Sequence, residues 1–83
     1  MDKLLVRIKV PVLNQSFDMF IPNDLRIYEV LGMIKRAITE LSDGIFIADR
    51  CNILYYQESG DALDFNQYVC ESNMYNGVKL VLI

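Results

Sequence analysis

From Leu4 the chain alternates in period two: Leu4, Val6, Ile8 and Val10 are apolar, with Leu5, Arg7 and Lys9 between them. Such alternation predicts a strand with one buried face. Pro11, which cannot donate to a ladder, ends it, and a loop through Leu13, Asn14 and Gln15 follows. A second alternation then sets Phe17, Met19 and Ile21 on one side and Ser16, Asp18 and Phe20 on the other. Two adjacent strands across a short loop predict a hairpin.

Pro22, Asn23 and Asp24 supply turn and cap chemistry, after which the period changes to 3.6. Ile27, Val30, Leu31, Ile34, Ile38 and Leu41 share one helical face, while Glu29, Lys35, Arg36 and Glu40 take the other. The pattern predicts an amphipathic helix over 26–41 with Gly44 as its C-terminal cap. Gly32 lies inside it, where a glycine costs roughly 1 kcal/mol against alanine, so a close approach to the sheet is expected there. Beyond the helix, Ile45, Phe46 and Ile47 are expected to tuck under its end. Residues 52–57 read as a third strand, and the Glu58 to Asp61 turn leads into a short return strand over 62–65. Asn76 and Gly77 signal a turn before a terminal strand in which Val78, Leu80 and Leu82 face one way.

A hairpin, one helix and returning strands make an α+β plan in which the helix covers a single sheet face. The terminal strand is too apolar for a tail, and its natural place is beside the first strand, parallel to it, at the sheet centre. The expected fold is therefore a β-grasp: a mixed sheet of four to five strands around one helix, as a single domain over 1–83.

Composition narrows the chemistry. The chain has 83 residues, 8 basic and 11 acidic side chains, a net charge of −3 and no histidine. Phosphate binding needs an excess of Lys and Arg on one face, so no nucleic-acid partner is expected. No apolar run approaches the roughly 20 residues that span a bilayer. The N-terminus has neither a basic start nor a small-residue cleavage site, which leads to an expectation of a cytoplasmic chain without membrane insertion. Cys51 and Cys70 are accordingly expected as reduced thiols. Without histidine, neither a Ser/His nor a Cys/His nucleophile pair can be built, and two distant cysteines match no zinc spacing. Asp61 and Asp64 are explained by turn chemistry, and no phosphate-cradling glycine motif is present. No cofactor, metal or enzymatic activity is expected.

Ile21, Pro22, Asn23 and Asp24, followed by Ile27, Val30 and Ile34, are similar to the entry into the helix of ubiquitin. Val69 to Met74, Asn76, Gly77 and Leu80 to Leu82 resemble the loop and last strand of ubiquitin-like proteins. Within those, the chain looks most like the small bacterial accessory proteins of type VII secretion, the YukD/EsaB type, with the Met74 to Gly77 turn as the nearest local match. The resemblance implies a ubiquitin-like fold and a non-enzymatic protein-interaction role in a bacterial secretion system. The alternatives are a β-grasp adaptor or regulator of another bacterial assembly, and a carrier protein with a lost tail. Ubiquitin and the sulfur carriers use a flexible Gly-Gly end, whereas this sequence ends Lys79, Leu80, Val81, Leu82, Ile83. Conjugation is therefore not expected.

What remains is surface. With Val78, Leu80 and Leu82 turned to the helix, Lys79, Val81 and Ile83 face away, as do Leu5, Arg7 and Lys9. Leu54 and Tyr56 are expected to join them. The expected partner surface is the outer sheet face formed by Leu5, Arg7, Lys9, Leu54, Tyr56, Lys79 and Val81, an apolar centre with a basic rim. A protein with an acidic edge, a secretion-system component among the candidates, fits it, and a homodimer through the same face is the rival occupant.

Overall fold

The computed structural model describes residues 3–83. Strands β1 (Lys3–Val10) and β2 (Gln15–Pro22) form the hairpin, joined by a 3-10 turn at Pro11–Leu13. Asn14 closes that turn in the left-handed region, φ 53°, a conformation that asparagine tolerates better than most residues. Helix α1 (Ile27–Leu41) follows, then β3 (Leu54–Tyr56), a 3-10 turn at Val69–Glu71, and β4 (Val78–Leu82). The sheet order is β2-β1-β4-β3. β4 runs parallel to β1, with Ile8 opposite Leu80, and antiparallel to β3, with Leu54 opposite Leu82. The mixed α+β sheet with a central terminal strand is the expected one.

Helix α1 buries Ile27, Val30, Leu31, Ile34 and Ile38 against Val6, Ile8, Val10, Leu80 and Leu82. Phe17 and Met19 pack only half-buried at the edge strand. The helix begins within one residue of the expected start, but its cap position falls to Arg26, which offers no side-chain oxygen, rather than to Asn23 or Asp24. Glu29 instead accepts the Arg26 N–H (3.1 Å), and the N–H groups of Ile27 and Tyr28 donate to the carbonyls of Gln67 (2.9 Å) and Phe65 (3.1 Å). The donors left over at a helix start are thus met by a loop from the other half of the chain.

Four expectations are corrected. No return strand forms over 62–65: Ala62 makes a lone bridge to Tyr55, while Leu63 turns inward and is buried. Of Ile45, Phe46 and Ile47 only Phe46 tucks under the helix, its N–H held by the Ser42 hydroxyl at 3.0 Å. Its two neighbours point outward, as alternate residues of an extended segment must. Leu41, the last helical residue, is exposed rather than on the buried stripe. A Cβ on Gly32 would meet open space, so no close helix–sheet approach explains that glycine.

Candidate interaction surface

The outer face of the sheet follows from register, since directly opposed residues share a face. One row across the strands is Ser16, Lys9, Val81 and Tyr55; the next is Asp18, Arg7 and Lys79; the third pairs Phe20 with Leu5. The pairing of β3 with β4 continues past the strand ends, where Ile53 and Ile83 exchange backbone hydrogen bonds of 2.9 and 3.1 Å. Among the described residues no helix covers this side. Its apolar members Leu5, Tyr55 and Val81 are half-buried, and Phe20 and Ile83 are well exposed.

Leu5, Arg7, Lys9, Lys79 and Val81 therefore stand together as the sequence placed them. Leu54 and Tyr56 do not. Leu54 is fully buried, and Tyr56 packs against the core, because they oppose the inward residues Leu82 and Leu80. A one-residue shift of phase moves every side chain of a strand to the other face. Tyr55 takes their place outside. Phe20 is a member of this face beyond the expected set, and the alternation of β2 is the signal that turns it outward beside Leu5.

Arg7 and Asp18 form a cross-strand ion pair, Nε to Oδ1 at 2.8 Å, with a second contact from Nη2 to Oδ2 at 3.2 Å. The hydrogen bond from Arg7, with its charge, holds the Asp18 carboxyl below its usual range and raises the guanidinium in turn. Lys3, Lys9 and Lys79 make no ion pair among the described residues. Among the described residues the face thus sets four cationic side chains, Lys3, Arg7, Lys9 and Lys79, against the carboxylate of Asp18.

Elsewhere the acids serve turns: Asp64 accepts the Asn66 N–H at 3.0 Å, and Asp49 that of Cys51 at 2.9 Å. Among the described residues no group of three or more His, Cys, Asp or Glu is placed to hold a metal, and both cysteines are exposed free thiols. No helix among them is long and apolar enough to cross a membrane.

The sequence-missed feature lies at the far end of the strands. Pro11, Val12, Ile45, Ile47, Leu82 and Ile83 are among the residues lining an open groove of about 470 Å³. The signal was the run Ile45, Phe46, Ile47 in a loop, since three consecutive apolar residues cannot all face one way.

No family model matches this sequence, and no curated protein matches it. Solved structures do. The ubiquitin-like domain of the type VII secretion protein EccD1 of Mycobacterium tuberculosis superimposes with a TM-score of 0.74 at 16% identity, covering 100% of this chain and 99% of that one. A structure described as molecular mimicry of SUMO promoting DNA repair gives 0.71 at 19% identity, over 100% and 92% of the two chains. A component of the ESX-5 inner membrane complex gives 0.72 at 15% identity, with this chain spanning 21% of its length. Strand order, the parallel β1–β4 pair, the single covering helix and these superpositions together establish a ubiquitin-like β-grasp fold.

Proposed function

We propose that the protein is a non-enzymatic ubiquitin-like interaction module, an accessory or regulatory component of a bacterial type VII secretion system, and that the outer sheet face is its partner surface. The observation that carries this reading is the face itself: Leu5, Phe20, Tyr55 and Val81 stay wet among Lys3, Arg7, Lys9 and Lys79 because the one helix packs on the opposite side. The expected apolar centre with a basic rim is corrected by the register: two apolar pairs, Phe20 with Leu5 and Val81 with Tyr55, flank the Asp18, Arg7 and Lys79 row. Apolar side chains interspersed with charge suit a protein interface, the apolar pairs supplying affinity and the cations between and beside them orientation and on-rate toward an acidic-edged protein. The fold alone fixes no role. The choice of secretion system rests on the likeness to the EccD1 domain, which spans both chains almost end to end.

The test is co-purification from cells of the host with identification by mass spectrometry. The wild-type protein is expected to recover type VII secretion components. The double variant Tyr55→Lys with Val81→Asp, two cross-strand neighbours given opposite charges so that the sheet is spared like-charge repulsion, is expected to lose them while remaining folded by circular dichroism. Undiminished recovery by the folded double variant would place the partner site elsewhere. Recovery of a different assembly by the wild type would leave the surface standing and remove the secretion assignment.

A further inference from the structure

Two surfaces at opposite ends of the strands differ in shape and in charge. At one end lies the groove, and a second hollow of about 370 Å³ shares Val12 and Ile45 with it and adds Leu13 and Leu41. Val12, Ile45 and Ile47 are 79%, 74% and 83% exposed, so this is a contiguous apolar surface rather than scattered residues. The charged side chains lining the two hollows are Asp43 and Asp49, with no Lys or Arg among them. Lys35 lies nearby, its ammonium donating to the Asp49 backbone carbonyl at 3.0 Å.

At the other end stands a protrusion. Phe20 is 64% exposed beside Leu5, on the face that carries Lys3 and Lys79. From Leu5 to Pro11 the strand rises about 20 Å, at roughly 3.3 Å per residue. The protrusion and the groove thus sit too far apart for one chain to fill its own groove.

We propose that the occupant of the groove is a second copy of this chain, which inserts Phe20 between Val12, Ile45 and Ile47 and brings Lys3 and Lys79 toward Asp43 and Asp49. This rests on the reading of the outer sheet face as a binding surface and names one partner for it. An aromatic side chain entering an apolar pocket is the kind of anchor that dominates interface energy. The lysines supply the complement to a groove whose own charges are both negative. Because the two surfaces are different, the contact is heterologous: each copy keeps a free Phe20 at one end and a free groove at the other. Association then continues head to tail until a rotation closes a ring. The net charge of −3 opposes the approach of copies, which puts assembly at high protein concentration.

Sedimentation velocity over a range of concentrations tests this with the purified chain, Phe20→Glu and Ile47→Lys. Wild-type protein is expected to pass beyond a dimer as concentration rises. Each variant alone is expected to self-associate roughly thirtyfold more weakly, the scale of losing an aromatic anchor or its pocket. An equimolar mixture of the two is the decisive sample. The Phe20→Glu chain keeps an intact groove and the Ile47→Lys chain an intact Phe20, so together they should form a 1:1 complex and stop there. Phe20→Ser and Val12→Ser repeat the experiment without new charges, and circular dichroism verifies the fold of each. If either variant alone associates as the wild type does, the contact is isologous through the untouched face and the proposal falls. It falls too if the wild type stays monomeric at every concentration, and in that case loss of partners by Tyr55→Lys with Val81→Asp would still uphold the outer sheet face as a binding surface.

Discussion

Residues 3–41 and residues 42–77 build the same core by different means. The first region is almost wholly regular, two eight-residue strands and a 15-residue helix, and each places its apolar residues by period. The second contains one three-residue strand and one 3-10 turn, yet contributes Phe46, Leu54, Leu63, Val69 and Met74 to the buried cluster. It is held by single apolar anchors and by backbone bonds reaching across the chain. The N–H of Val69 donates to the Leu25 carbonyl, that of Cys70 to Asn23 and that of Leu63 to Leu54, at 2.9, 2.9 and 3.0 Å. Arg26 strengthens the seam, its guanidinium 4.3 Å from the centre of the Tyr68 ring. A stripe shares its burial among neighbours on one element, whereas an anchor fixes a loop that has no other register.

The contrast predicts two kinds of damage. Ile34, fully buried at the middle of the helix stripe, should cost about 2 to 5 kcal/mol when replaced by alanine. Against a total of roughly 4 to 12 kcal/mol for a domain of this size, that could unfold the chain. Leu63→Ala should sit near the lower end, about 2 kcal/mol, because a loop can settle into part of the cavity. Urea denaturation gives both values, and amide exchange separates the mechanisms. Ile34→Ala should speed exchange of the slowest amides throughout the sheet, while Leu63→Ala should act chiefly on residues 54–71. Equal costs with the same exchange pattern would show that the loop region is no separate, weaker unit.

The same contrast explains what could be read in advance. The hairpin, the helix and the central parallel strand were legible because period 2 and period 3.6 each assign an inner and an outer face. β3 was not, since Leu54, Tyr55 and Tyr56 are all apolar and such a run carries no phase; only pairing with Leu82 and Leu80 sets it. That is why Leu54 and Tyr56 read as outward residues from the sequence yet face the core, whereas Leu5, Arg7, Lys9, Lys79 and Val81, on strands with a clear period, lie on the expected face of the sheet. The groove escaped for a related reason. An apolar loop residue invites burial, and Ile45 to Ile47 carry no period; the turn that sends Phe46 inward is fixed by hydrogen bonds the sequence does not display, from Gly44 N–H to the Thr39 carbonyl, Ile45 N–H to the Ser42 carbonyl and Phe46 N–H to the Ser42 hydroxyl.

A smaller effect sharpens the account of the regular region. Gly32 lies on the exposed side of α1, a Cβ there meets nothing within 4 Å, and its φ is not positive. Neither packing nor backbone geometry requires glycine at this position. Gly32→Ala should therefore raise stability by about 0.5 to 1 kcal/mol, chiefly by restricting the unfolded chain. Thermal melts of the two proteins suffice as a check. A loss of stability would mean that a Cβ at this position does meet a neighbour within the folded chain.

The smallest expected effect concerns the ion pair on the outer face. The Asp18 carboxyl is lowered by its hydrogen bond from Arg7 and by that charge, so its folded value lies below its value in the unfolded chain. The unfolded chain therefore takes up the proton first as pH falls. The pair's contribution is fully present above the ordinary aspartate range near 4, declines as the pH drops through the folded value, and is gone below it. Both side chains are half exposed, which makes the contribution small and sensitive to salt. Asp18→Asn should lower stability slightly near neutral pH and should make the loss of stability between about pH 5 and 2 less steep than in the wild type. Moderate salt should shrink the difference. The loop carboxylates provide the internal control: Asp49 and Asp64 accept backbone N–H groups within their own turns, and Asp18→Asn leaves those bonds untouched. An acid slope unchanged by the substitution would show that the pair, although well formed across β1 and β2, adds nothing to the folding of the regular region, which would then rest on its apolar periodicity alone.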